Sequence, residues 1–184
     1  MPGPVITLSG PHGTGKSTYA KALAQALGLR YIAAGDIFRD IARQEKLTLE
    51  ELSNRAARDP KLDQMLDERT KSEAKRGSVV IDAQLGAWMA RDLVDVKILL
   101  TAPDGVRFKR IAEREGVSEE KARKETQYRE AIQQKRYKEY YGIDVSDLSI
   151  YDAQIDTGLH SIEETKKIVL DLVCDLLRRR GKLN

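Results

Sequence analysis

The chain has 184 residues, 41% of them hydrophobic and 33% charged, and its 32 Lys+Arg against 29 Asp+Glu leave a formal charge of +3. That length suits one domain with a sizeable core, and the near balance of charge argues against a basic arm built to grip nucleic acid. A single cysteine, Cys174, excludes an internal disulfide and a multi-cysteine zinc site, two histidines offer no metal cage, and no run approaches the roughly 18 apolar residues that span a bilayer.

Met1-Pro2-Gly3-Pro4 has neither the charged start nor the apolar core of a signal peptide, which points to a cytoplasmic protein. Val5-Ile6-Thr7-Leu8-Ser9 then forms a short apolar run, the pattern of a buried parallel strand. Beyond a glycine-rich loop, apolar residues recur at Ala20, Leu23, Ala24 and Leu27, with Gly28 placed to end a helix. Tyr31-Ile32-Ala33 is a weaker second strand. Residues 36–76 are helical in pattern and heavily charged; Thr48 and Glu51 have capping-box spacing, and Asp59-Pro60 breaks the pattern and opens another helix. Val79-Val80-Ile81-Asp82 and Val96-Lys97-Ile98-Leu99-Leu100 are the third and fourth strands. A charged helical stretch over residues 104–141, interrupted near Gly116, leads to a fifth strand over 150–155. Ser161 and Glu164 cap a last amphipathic helix in which Cys174 is expected to be a small buried packing residue. Strands alternating with helices predict an α/β fold, a five-stranded parallel sheet with helices on both faces.

Gly10-Pro11-His12-Gly13-Thr14-Gly15-Lys16-Ser17 fits G-x-x-x-x-G-K-[ST] between a strand and a helix. Small residues let backbone N–H groups curl around phosphate oxygens, and the following helix presents its positive end. The expected ATP site is therefore residues 10–18, ending at Thr18, with Lys16 reaching the β- and γ-phosphates and Ser17 coordinating Mg²⁺. His12 is expected to fill the loop without a catalytic role. Asp82, closing the third strand, is the expected carboxylate that holds Mg²⁺ through water, and it could also cap the next helix.

This loop serves GTPases, ATPases and small-molecule kinases alike. No N-K-x-D stretch is present, and Asp82 lacks the D-x-x-G spacing of a GTPase switch. Arginines at 39, 110, 114, 129 and 136 suit a site holding two phosphorylated nucleotides, although each could equally belong to a solvated helical face.

Gly35-Asp36-Ile37-Phe38-Arg39 resembles the segment after the second strand in adenylate kinases, and Arg110-Ile111-Ala112-Glu113-Arg114 resembles the R-x-x-x-R at the lid of nucleoside monophosphate kinases. The narrower resemblance, over residues 5–177, is to archaeal-type cytidylate kinases. It rests on residues 136–152, the run Arg136-Tyr137-Lys138-Glu139-Tyr140-Tyr141-Gly142 foremost, and on Leu85-Gly86-Ala87-Trp88-Met89 and Ile155-Asp156-Thr157. The resemblance implies a P-loop kinase fold in one domain, residues 1–184, with a monophosphate-binding helical insertion at about 36–76 and a lid with its following helix at about 112–140. It implies transfer of phosphate from MgATP to CMP or dCMP. Lys16, Arg110 and Arg114 would be catalytic, and Asp36, Arg39, Gln84, Arg129 and Arg136 would bind the acceptor. Relatives carry an arginine where this chain has Gln84, so the preference for CMP is less firmly implied than kinase activity itself. The alternatives are another monophosphate kinase, for adenylate or uridylate, or an ATP-switched RNA-associated module using Arg178-Arg179-Arg180. No nucleic-acid or membrane partner is expected, and the chain is expected to be a monomer or small homo-oligomer.

Overall fold

Strand β1, Val5–Ser9, is buried along its whole length, as its unbroken apolar run requires. The computed structural model describes residues 2–183. β1 lies at the centre of the order β2-β3-β1-β4-β5, with β2 at Arg30–Ala33, β3 at Val79–Asp82, β4 at Val96–Thr101 and β5 at Ala153–Asp156. Every neighbouring pair is parallel. The register sets Leu8 of β1 against Asp82 of β3, so the loop after β1 and the end of β3 share one edge of the sheet.

Helices α1, Lys16–Leu27, and α8, Ile162–Arg179, cover one face. Tyr19, Ala20, Leu23, Val169, Val173 and Leu177 pack there on the inward residues of β1, β3 and β4. The opposite face, Val5, Val79 and Ile81, receives Ala74 of α4, Lys61–Arg76. Each fully buried aliphatic side chain contributes about 1.5–3 kcal/mol, so these two layers dominate stability. Between β2 and α4 lie α2, Ala34–Gln44, and α3, Leu49–Ala56. The Thr48–Glu51 capping box starts α3, and Lys61 N–H bonds Asp59 at the Pro60 break, both where the spacing predicts. The short α5, Gly86–Met89, and a 3₁₀ turn, Arg91–Leu93, lead into β4. α6, Asp104–Glu115, ends at Gly116 in the left-handed conformation, and α7 runs from Glu119 to Tyr141.

Two expectations shift. β5 begins at Ala153 rather than 150, because Tyr151 N–H closes a turn on Leu148 O and the Asp152 carboxylate caps the edge of β4 by accepting from Lys97 N–H. Cys174 is half-buried on α8. Of the terminal arginines, Arg179 pairs with Asp175 and Arg180 with Asp152, each at 2.7 Å, which commits two of the three cations to the protein itself. Among the described residues no helix is long and apolar enough to cross a membrane.

Candidate active site

The loop leaves β1 through Gly10, whose φ is +142° and where a Cβ would lie 2.1 Å from Leu100 O. Gly13, at φ +79°, is as constrained: a Cβ there would lie 2.6 Å from Arg107 O of α6. Side chains are excluded at both points, so the backbone turns tightly between β4 and α6. α1 then starts at Lys16 with no side-chain cap, leaving its first N–H groups and its positive dipole end for an anion.

Lys16 Nζ donates to Gly10 O at 2.8 Å and Pro11 O at 2.9 Å, folded back along the loop. Burial pushes its ammonium below the ordinary lysine range, while Asp82 and Glu130 pull it back up. The Ser17 hydroxyl donates to Asp82 Oδ2 at 2.6 Å, and Tyr31 donates to the same oxygen at 3.2 Å. The two predicted metal-side residues therefore meet. α5 starts at Gly86 with no side-chain cap, so Asp82 does not serve as its cap. Thr14 is buried with its hydroxyl on Pro11 O, whereas Thr18 is exposed on α1.

Arg110 of α6 donates to Thr157 Oγ1 at 2.9 Å and Thr157 O at 2.8 Å. The Thr157 hydroxyl itself lies 2.9 Å from Thr14 O, so Arg110 is fixed against the loop through one residue. Arg114 is exposed and paired with Glu115 at 2.7 Å. Arg129 of α7 has a buried Nε without a hydrogen-bond partner. His12 is tied to α7, its N–H on Glu130 at 2.9 Å and its ring on Gln133 at 3.1 Å. Burial first, then the charges of Lys16 and Arg129, lower its pKa to about 3. The imidazole is neutral near pH 7, and His12 fastens the loop to α6 and α7 through its N–H, its carbonyl and its ring.

Of the residues expected to bind the acceptor, Asp36 and Arg39 of α2 pair at 2.5 Å and are both partly exposed. Tyr137 donates to Gln84 at 3.0 Å. Arg136 lies fully inside: Nε is 3.0 Å from Asp63 Oδ2, and the guanidinium also donates to Ser53 O. Gln84, Asp63, Asp67, Tyr137 and Tyr141 line a small cavity between α4, α7 and the loop after β3. A second, larger one adjoins it across Gln84 and Tyr137, beside Gly10 and Pro11.

The structure thus brings Ser17 and Asp82 together beside Lys16, fixes Arg110 against the loop through Thr157, pairs Arg114 with Glu115 and Arg39 with Asp36, and engages Arg136 in the interior. It adds residues that sequence reasoning passed over. Arg107 is buried and donates to His12 O and, through both terminal nitrogens, to Glu130. Asp63 and Asp67 stand one turn apart on α4, and that i, i+4 polar pair facing an apolar stripe was the available signal. Among the described residues no group of three or more His, Cys, Asp or Glu is placed to hold a metal. The Ser17–Asp82 pair nonetheless fits Mg²⁺, which takes few protein oxygens and completes its shell with water and phosphate.

Parallel sheet, switch-point loop and clustered cations define a P-loop kinase. A family model described as an AAA domain matches residues 6–140. Solved structures of similar fold include a shikimate kinase from Bacteroides thetaiotaomicron (TM-score 0.62, 18% identity, 92% of this chain and 98% of that one) and a gluconokinase from Sinorhizobium meliloti (TM-score 0.61, 17% identity, 98% and 96%). Proteins named cytidylate kinase from Staphylothermus marinus and Aeropyrum pernix are each 49% identical over 174 residues, covering 95% of this chain and 98% and 99% of theirs. One from Ignicoccus hospitalis is 45% identical over 169 residues, 90% of this chain and 98% of its own. The chain belongs to the cytidylate kinase family.

Proposed function

We propose that this protein transfers the γ-phosphoryl group of ATP to CMP, and to dCMP, giving ADP and the corresponding diphosphate. The observation that supports this best is the meeting of Ser17 and Asp82 beside Lys16 at the loop, with Arg110 on Gly13 O and Arg129 near His12, next to the cavity that Gly10 and Pro11 line. An oxygen of the acceptor phosphate forms the new bond to phosphorus as the β–γ bridging bond breaks and ADP leaves. That oxygen is already anionic near neutral pH, so no strong general base is needed, in keeping with a neutral, fastened His12.

Residues 10–18 would cradle the donor. Lys16 would leave its carbonyls for the β- and γ-phosphates, and Arg110 and Arg114 would stabilise charge on the transferring group. Asp36, Arg39, Gln84, Arg129 and Arg136 are assigned to the acceptor, Arg136 by bracing Asp63 in its wall. Ser17, and Asp82 through water, would hold Mg²⁺, which supplies neutralisation of phosphate charge when bound. The helical segments at about 36–76 and 112–140 are assigned as monophosphate-binding segment and lid, closing to exclude water as a competing acceptor. We place the activity in the cytoplasm, in a monomer or small homo-oligomer that does not act on nucleic acid. An ADP-coupled assay across AMP, CMP, dCMP, UMP and GMP tests the assignment: CMP and dCMP are expected to dominate, and preference for another monophosphate would overturn it.

A further inference from the structure

The acceptor cavity contains one carboxylate that no cation neutralises. Of the two inward aspartates of α4, Asp63 is consumed by Arg136. Asp67 has no ion-pair partner among the described residues and accepts a hydrogen bond from the Tyr141 hydroxyl of α7. Leu66, Leu85 and Met89 supply apolar lining in the same cavity, beside Thr70 and Gln84. An uncompensated carboxylate repels phosphate, so this end of the cavity does not take the acceptor's phosphate. That group belongs toward Lys16 and Arg129 at the loop, which directs the base inward to Asp67. Apolar side chains interrupted by a few polar groups, Asp67 the unpaired carboxylate among them, suit a planar heterocycle presenting a hydrogen-bonding edge.

Resting on the CMP reading above, we propose that Asp67, held by Tyr141, determines base specificity by reading the N3 and 4-amino edge of cytosine. One carboxyl oxygen accepts from the 4-amino group, and the other, when protonated, donates to N3. Uracil reverses both positions, offering an N3–H donor and an O4 acceptor. Burial raises the Asp67 pKa to about 6, aided by the charge of Asp63, while the Tyr141 hydrogen bond and Lys71 oppose the rise. The groups around it are Asp63 and Lys71 on α4 and Tyr137 and Tyr141 on α7; Gln84, from the loop after β3, is neutral. A carboxyl that takes its proton near neutrality is suited to this two-point contact, and its complement to cytosine weakens as pH rises through about 6.

The test is the ratio of kcat/KM for CMP to that for UMP, at saturating MgATP, from pH 5 to 8. Using the ratio cancels the titration that both phosphates share. In the unaltered protein the ratio is expected to fall as pH rises through about 6. Asp67→Asn keeps the shape but can turn its amide to suit either base, so the ratio should drop at least about tenfold, the worth of one hydrogen-bonded edge, and lose its pH dependence. Tyr141→Phe should shift the pH dependence upward, since it removes the bond that holds the Asp67 pKa down. If Asp67→Asn keeps both the ratio and its pH profile, or if Tyr141→Phe leaves the profile in place, the specificity role is overturned while the kinase assignment stands. An unaltered protein that phosphorylates UMP or AMP but not CMP would overturn both.

Discussion

Lys16 rests its ammonium on two carbonyls of its own loop, a low-cost parking place that an incoming phosphate can outbid. Removing it should therefore matter at the transition state: Lys16→Ala is expected to lose about 10²–10³-fold in kcat, with ADP release as the readout, and retention of most activity would remove Lys16 from the donor site. Arg136 predicts the opposite kind of effect. Asp63→Ala leaves its guanidinium buried without a counter-charge, at a cost of about 3–5 kcal/mol, measurable by urea unfolding. Replacing both members of that pair by aliphatic residues of similar volume should cost far less. A loss for the double variant as large as for Asp63→Ala would show that the pair contributes more than mutual neutralisation.

At the level of elements, the phosphate loop and its fastening to α6 and α7 act together. Arg107 and Glu130 hold the loop's outer limb through His12 N–H and His12 O, so Glu130→Gln should loosen the loop without touching nucleotide. Loss of one charge-assisted bond is worth about 1.5 kcal/mol; KM for ATP is expected to rise roughly tenfold, with kcat far less affected in steady-state assays. The loop, the strands and both capping boxes were legible in the sequence because their information is local: a spacing of eight residues, an unbroken apolar run, a Ser or Thr three residues before a Glu. The seam between α4 and α7 was not. Its partners, Arg136 with Asp63 and Tyr141 with Asp67, are joined only by the fold, and a charged arginine on a charged helix reads as solvated until its neighbour is known. For the same reason Arg136 could be singled out as functional, but not as a brace.

Across the whole molecule, stability follows pH through groups whose protonation changes on folding, three of them on or near the site or the sheet. Glu73, held by hydrogen bonding to Arg30 and by the charges of Arg76 and Arg69, has a lowered pKa; its stabilisation is present above the unfolded value of about 4.3 and is lost below it. His12, lowered to about 3, withdraws stability as pH falls below its unfolded value of about 6.5. Asp67, raised to about 6, adds stability as pH falls from about 6 toward 4. The last two oppose each other, so the melting temperature should change little between pH 6 and 4.5 and drop below 4. Scanning calorimetry should show His12→Gln gaining stability over that acid window and Asp67→Asn losing it; parallel profiles for the two would contradict these protonation states. The seam between α4 and α7 carries a separate consequence. Tyr128 reaches Asn54, Tyr140 reaches Ala57 O, Arg136 reaches Asp63 and Tyr141 reaches Asp67, so α7 is stitched to α3, α4 and the turn between them, the segments proposed to carry the acceptor. Two independent hinges are then unavailable, and the donor and acceptor sites share a single conformational currency. Whatever factor CMP adds to the affinity for a non-hydrolysable ATP analogue, that analogue must return to CMP, and calorimetric titration in both orders should find a factor above one.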